Sequence, residues 1–177
     1  MHTLQLHING KKVGPLQISE EIMMIEFLHE YLNLTGTKFG CGQGQCNACV
    51  IIVDHADGHS ETMKTCINSA LMFNNKHVRT IEGHAEKNAQ GYAVKLNPVQ
   101  EAFIKQFSFQ CGWCTSGFVN EATVLVETLQ KQPVQLHDVE SLIEDTLNKH
   151  ICRCTGYVKY YKSMKALILA QQGVKKS

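Results

Sequence analysis

The chain opens with alternation: Leu4, Leu6 and Ile8 share one face, polar residues separate them, and Asn9-Gly10 follows as a turn signal. That pattern predicts a strand entering a hairpin. Val13, Leu16 and Ile18 supply a second, less regular strand, and Ser19 stands where an N-cap would open a helix. Ile22, Ile25, Leu28 and Leu32 then recur at helical spacing. Periodicity stops from Asn33 to Ala48, where glycines interleave with polar residues and cysteines, and this reads as a loop. The β-branched run Val50–Val53 predicts a strand, Asp57-Gly58 a turn, and Val78–Ile81 a last strand. Strands around one helix make residues 1–83 an α+β domain.

The composition turns polar over residues 84–96, with Lys87, Asn88, Gln90 and Gly91 and little to bury, so this stretch is expected to be a linker. Helical signals follow. Asn97 caps and Pro98 takes the first-turn position of a helix reaching about Phe107. Phe118, Ala122, Leu125, Val126 and Leu129 form the stripe of a second helix that stops near Pro133. Val139, Leu142, Ile143 and Leu147 mark a third, opened by Asp138, and Val158, Tyr161, Met164, Leu167 and Ile168 a fourth. Residues 97–177 are thus expected to form a four-helix bundle, with Phe103, Phe118 and Met164 in its core rather than around a cofactor.

Composition narrows the class. Among 177 residues, 44 % are apolar and 19 % charged, which is too apolar for disorder. A net charge of +1 gives no argument for a nucleic-acid partner, and the basic ending Lys175-Lys176 reads as a solvated tail. No stretch reaches transmembrane length, and the N-terminus lacks the pattern of a secretory signal, so a cytoplasmic location is expected unless an exported partner carries the complex. Thr35-Gly36-Thr37-Lys38 lacks the full phosphate-loop arrangement, and no glycine fingerprint for nicotinamide or flavin follows a strand. The nine histidines include no helical pair four apart and are expected at the surface or in turns.

Eight cysteines in a chain without a signal point to metal ligation rather than disulfides. Cys41, Cys46 and Cys49 are separated by four and then two residues, and Cys66 lies further on, which is the plant-type spacing for a [2Fe–2S] cluster. Gly40, Gly42 and Gly44 let the loop wrap a cluster and bring backbone N–H groups towards its sulfurs. Three cysteines in one loop argue against zinc, whose loops carry them in pairs. Cys111 and Cys114 form a second pair between the first two bundle helices, and Cys152 and Cys154 another between the last two. From spacing alone, a four-cysteine zinc site competes here with a second cluster.

Three motifs settle the preference: Phe39-Gly40-Cys41-Gly42-Gln43-Gly44-Gln45-Cys46, Gln110-Cys111-Gly112-Trp113-Cys114-Thr115 and Cys152-Arg153-Cys154-Thr155-Gly156-Tyr157. In this order the chain resembles the iron–sulfur subunit of the molybdenum hydroxylases, the family that includes xanthine dehydrogenase, aldehyde oxidoreductase and carbon monoxide dehydrogenase. The resemblance covers essentially the whole chain. It implies a ferredoxin-like β-grasp domain followed by a four-helix bundle, each with a [2Fe–2S] cluster, the second held by Cys111, Cys114, Cys152 and Cys154. It further implies that Gln110 and Cys154 contact a molybdopterin cofactor held by a large partner subunit. Electrons would leave through the first cluster to a flavin- or haem-containing acceptor subunit. The chain itself would neither bind substrate, expected to be an aldehyde or N-heterocycle, nor carry catalytic residues. A free-standing two-cluster ferredoxin is the alternative, and a structural zinc protein a third. Two positions depart from the family's commonest pattern: Ser116 replaces a proline, as a possible N-cap, and Asn47 replaces a glycine. Asparagine tolerates the left-handed conformation.

Overall fold

A computed structural model of the chain describes residues 1–171 and 174–175. The N-terminal half is a five-stranded mixed sheet of β1 (His2–Ile8), β2 (Lys11–Ile18), β3 (Val50–Asp54), β4 (Ser60–Lys64) and β5 (His77–Arg79) in the order β2-β1-β5-β3-β4. β1 and β5 run parallel, and the other neighbours are antiparallel. The expected hairpin β1–β2 is present, and its irregularity is a register shift opposite Leu4 and Leu6. Leu4, Leu6, Ile8, Ile51, Val53 and Val78 pack beneath Met24, Phe27 and Leu28. Alternation along β3 turns Val50 and Ile52 to the other face, yet both are buried, so β3 is covered on both sides.

The first helix departs from expectation. It begins at Met24, α1 (Met24–Glu26), and continues as a π-type turn over Phe27–Tyr31. Ser19 does not cap it, because the intervening backbone is committed elsewhere: the Ala70 amide donates to the Ile22 carbonyl and the Met24 amide to that of Asn68. Long-range pairing of residues 22–24 with 68–70 therefore displaces the local start signal.

Residues 84–96 contain a short hairpin of β6 (Glu86–Lys87) and β7 (Ala93–Lys95). Four helices follow: α2 (Pro98–Lys105), α3 (Thr115–Lys131), α4 (Val139–Leu147) and α5 (Val158–Ala170). The capping box of Asn97 and Gln100 opens α2, with Pro98 in its first turn. Asp138 precedes α4 but makes no side-chain cap. Along α5 Met164 and Ile168 are buried and Tyr161 and Leu167 pack against the core as expected, but Val158 is exposed and Tyr160, off the expected stripe, is fully buried. Tyr157, immediately before the helix, is left-handed. The four helices share one core around Phe103, Phe118, Ile143 and Met164, distinct from the core of the sheet. Lys175 is exposed, but its amide donates to the Val134 carbonyl, and Lys176 lies outside the described residues. No helix among the described residues is long and apolar enough to cross a membrane.

Helix α3 lies along β3 and β4 and joins the two cores. Asn120, fully buried, donates through Nδ2 to the Val50 carbonyl at 2.7 Å, and its Oδ1 meets His84 Nε2 at 2.6 Å. His84 Nδ1 in turn lies 3.1 Å from Asn97 Nδ2. These partners require a neutral ring with the proton on Nε2, because Asn97 Oδ1 already accepts the Gln100 amide. Two histidines lie in turns, as expected, but not at the surface: His84 is built into this network, and His150 is buried against Phe118 with ring centroids 4.3 Å apart.

Burial holds the His84 pKa below its ordinary value; Arg79 also lowers it, while Asn120, Glu127 and Asp54 partly oppose the shift. Between that depressed value and about 6.5 the unfolded chain binds a proton that the folded chain refuses. Stability should therefore be full above about pH 6.5 and decline as pH falls through this window. His84→Leu should make the decline shallower while costing about 1–3 kcal/mol at neutral pH, because the buried Asn120 Oδ1 loses its donor while Asn97 keeps Thr123 and Gln100. Urea titrations at several pH values measure both effects.

Candidate metal centres

The first cysteine set is assembled from the loop before β3 and the turn after β4. Cys41 Sγ accepts the backbone amides of Gln43, Gln45 and Cys46 at 3.4, 3.3 and 3.4 Å. These donors lower the Cys41 pKa to about 6. Gly42 and Gly44 both hold positive φ, 68° and 70°, which is how the loop turns its amides inward. At Gly40 a Cβ would lie 2.8 Å from Cys46 Sγ, so the missing side chain leaves room for that sulfur. Cys49 and Cys66 are buried together beside Ile25, and burial, followed by the neighbouring Cys49, pushes the Cys66 thiol up to about 11.

The second set lies at the helix junctions. Cys114 immediately precedes α3, while Cys152 and Cys154 sit in the loop before α5. Cys154 Sγ stands 3.7 Å from Cys111 Sγ and 3.9 Å from Cys152 Sγ, and Cys152 lies within hydrogen-bonding reach of Cys114. Two thiolates on one tetrahedral metal with bonds of about 2.3 Å would be about 3.8 Å apart, so these spacings suit shared ligation. Burial raises the Cys114 thiol to about 12. Burial also opposes ionisation of Cys152, but the Thr155 hydroxyl and amide and the Cys154 amide outweigh it and lower Cys152 to about 7. Metal ligation must therefore displace protons most strongly held at Cys66 and Cys114.

Both sets fit an anionic cluster through thiol chemistry and directed N–H groups. Sulfurs gathered in neighbouring pairs are compatible with a two-iron centre.

The structure joins the two loops directly. The Ile151 amide donates to the Cys46 carbonyl at 3.1 Å, one residue before Cys152. Trp113 Nε1 donates to the Phe39 carbonyl at 2.9 Å. Ser116 is not an N-cap; it is buried, and its hydroxyl reaches across to the Ala48 carbonyl at 3.4 Å. Asn47 adopts the left-handed conformation, φ 55°. Its carbonyl lies so close to Gly117 that a Cβ there would overlap it. Sequence reasoning missed Ile151 and Gly117 because a backbone donor and a backbone close approach have no side-chain signature. It also missed Tyr160, whose hydroxyl lies 4.0 Å from Cys114 Sγ and 2.9 Å from Thr115 Oγ1.

Each set has two buried thiols, Cys49 and Cys66 in the first and Cys114 and Cys152 in the second. Access differs at the other two, which are half-buried in the first set, Cys41 and Cys46, and exposed in the second, Cys111 and Cys154. Gln110 lines a groove of about 360 Å³ with Phe107, Phe109, Thr155, Val158 and Lys159, at the edge of the second set.

The matched families define the class as iron–sulfur: residues 6–75 match the 2Fe-2S iron-sulfur cluster binding domain, and residues 80–165 the [2Fe-2S] binding domain. Aldehyde oxidase 1 of Cavia porcellus and xanthine dehydrogenase of Calliphora vicina are each 34 % identical to the chain over 160 residues. In both cases the match covers 88 % of this chain and 11 % of the relative, so the chain spans about a tenth of their length. The structure superposes on quinoline 2-oxidoreductase from Pseudomonas putida 86 with a TM-score of 0.75 and 28 % identity, covering 96 % of this chain and 94 % of that one. Aldehyde oxidoreductase from Desulfovibrio desulfuricans ATCC 27774 gives 0.76 and 29 %, with coverage of 99 % and 18 %. The chain belongs to the iron–sulfur components of the molybdenum hydroxylase family.

Gly117→Ala should destabilise the protein by about 1–3 kcal/mol, because the added methyl must push α3 off the cysteine loop. Asn47→Gly, which keeps the left-handed backbone without a Cβ, should leave stability nearly unchanged. Denaturant midpoints of the two variants against the parent test this contrast.

Proposed function

We propose that the chain is the two-cluster electron-transfer subunit of a molybdenum-cofactor oxidoreductase. It would carry electrons from the molybdopterin centre of a large partner subunit to a flavin- or haem-containing acceptor. Cys41, Cys46, Cys49 and Cys66 would hold one [2Fe–2S] cluster, and Cys111, Cys114, Cys152 and Cys154 the other. When bound, each would supply a one-electron carrier. The observation that carries this reading is the bond from the Ile151 amide to the Cys46 carbonyl, which links a ligand of one set to the neighbour of a ligand of the other.

The separate cores of the sheet and the helices support a β-grasp domain at 1–83 and a four-helix bundle at 97–177, with 84–96 between them. Exposure of Cys154 beside the Gln110 groove favours the second set as the side meeting molybdopterin. A freely diffusing ferredoxin has no use for such a groove, so the subunit reading is preferred. Similarity to proteins named for aldehydes, xanthine and quinoline supports an aldehyde or N-heterocycle as the partner's substrate.

Purified protein should be brown, contain about four irons per chain and show two distinguishable signals by EPR after reduction. Colourless protein containing zinc would overturn the assignment. In the complex with its large subunit, Cys154→Ser should impair turnover more than Cys41→Ser impairs reduction of the second cluster. Normal molybdenum-to-cluster transfer in Cys154→Ser would show that the assigned direction is wrong.

A further inference from the structure

Helix α3 has Cys114 at its N-terminal boundary, and its side towards the sheet makes a row of contacts. Ser116 and Gly117 meet the cysteine loop, Asn120 the Val50 carbonyl, and Glu121 Oε2 accepts from Thr62 Oγ1 at 2.9 Å. Lys131 reaches the Gly58 carbonyl at the far end. Between these ends lies the only ion pair that joins sheet to helices among the described residues. Arg79 on β5 donates through Nε and Nη2 to both oxygens of Asp54 at 2.8 Å each. Through Nη1 and Nη2 it also donates to both oxygens of Glu127 at 2.7 and 2.8 Å. A planar guanidinium gripped along two edges fixes direction as well as distance, which a point charge cannot do.

The far grip matters because the near end is held by the Gly117 contact and by single uncharged hydrogen bonds from Trp113, Ser116, Asn120 and Ile151, each of which fixes a distance rather than an orientation. The Ser116 bond is long, 3.4 Å, and Gly117 rests on the Asn47 carbonyl without room to spare. Such a contact resists compression but not pivoting. A helix turning about it would carry the shared helical core, and with it the Cys152 loop, relative to Cys46.

We propose that Arg79 and Glu127 are positioning residues that hold α3 in register on the sheet, and thereby set the coupling between the two cysteine centres about 20 Å away along the helix. This rests on the two-cluster reading. Neither residue touches a cysteine.

Glu127→Gln leaves the Arg79–Asp54 pair within the sheet and weakens only the link to the helix. In fully reduced Glu127→Gln, the spin–spin splitting between the two iron–sulfur signals should change. Iron content and the separate signals in half-reduced protein should stay as in the parent. The Ile151 amide should exchange with solvent several-fold faster by NMR or mass spectrometry, a readout that needs no cluster. Arg79→Lys, which keeps the charge but loses the two-edged grip, should behave likewise and serves if Glu127→Gln folds poorly. Glu140→Gln, which breaks an exposed pair with Lys165 between α4 and α5, is the control and should change neither readout. A lower unfolding midpoint with splitting and Ile151 exchange both unchanged would reduce the pair to a stabilising role and overturn the proposal, as would an equal effect of Glu140→Gln. Absence of iron from the parent protein would instead overturn the cluster reading beneath it.

Discussion

Everything near the cysteines depends on how closely α3 approaches the loop before β3. At Gly117 the helix backbone meets the Asn47 carbonyl with no space for a methyl group. That approach lets Ser116 reach Ala48 and Asn120 reach Val50. The same packed assembly includes the bond from Ile151 to Cys46. Polar bonds are rewarding here because the joint is buried: an Asn120 without partners would leave an amide unsatisfied in the interior. Close packing and polar satisfaction thus enforce the same arrangement, and the two cysteine sets inherit their relation from it.

The two sets solve the problem of assembling negative sulfurs in different ways. The first uses a loop whose positive-φ glycines aim amides at Cys41, so the backbone itself offsets charge. The second uses helix junctions, where burial raises Cys114 and local donors lower Cys152. A loop of the first kind announces itself in sequence, since its ligands and glycines are contiguous. The second depends on a fold that brings residues 111–114 next to 152–154, and spacing alone left zinc open for it.

The same division between local and distant causes explains what else could be read in advance. Alternation located β1, the β-branched run located β3, and Asn97-Pro98 located the start of α2, because each signal acts within a few residues. Ser19 misled because residues 22–24 pair with residues 68–70, and Tyr160, off the expected stripe of α5, is buried by packing on Phe103 and Phe118. The burial of His84 and His150 was not legible because nothing local reports the partners that bury them: Asn120 for one, the Phe118 ring for the other. Distant packing, not propensity, decided each case.

Exposure around the second set completes the physical picture. Phe107, Trp113, Ile151 and Val158 are 74, 54, 59 and 56 % exposed, although the chain has a well-filled helical core available to it. Apolar side chains gathered beside exposed Cys111 and Cys154 are poorly explained by the needs of this fold alone. Similar chains occur both as about a tenth of a long polypeptide and as nearly the whole of a separate one. In the first arrangement a neighbouring domain can cover such a rim by covalent attachment, and in the second a subunit must do so by affinity. Either arrangement would cover an apolar rim, and this one lies on the side where the proposed molybdopterin partner would dock.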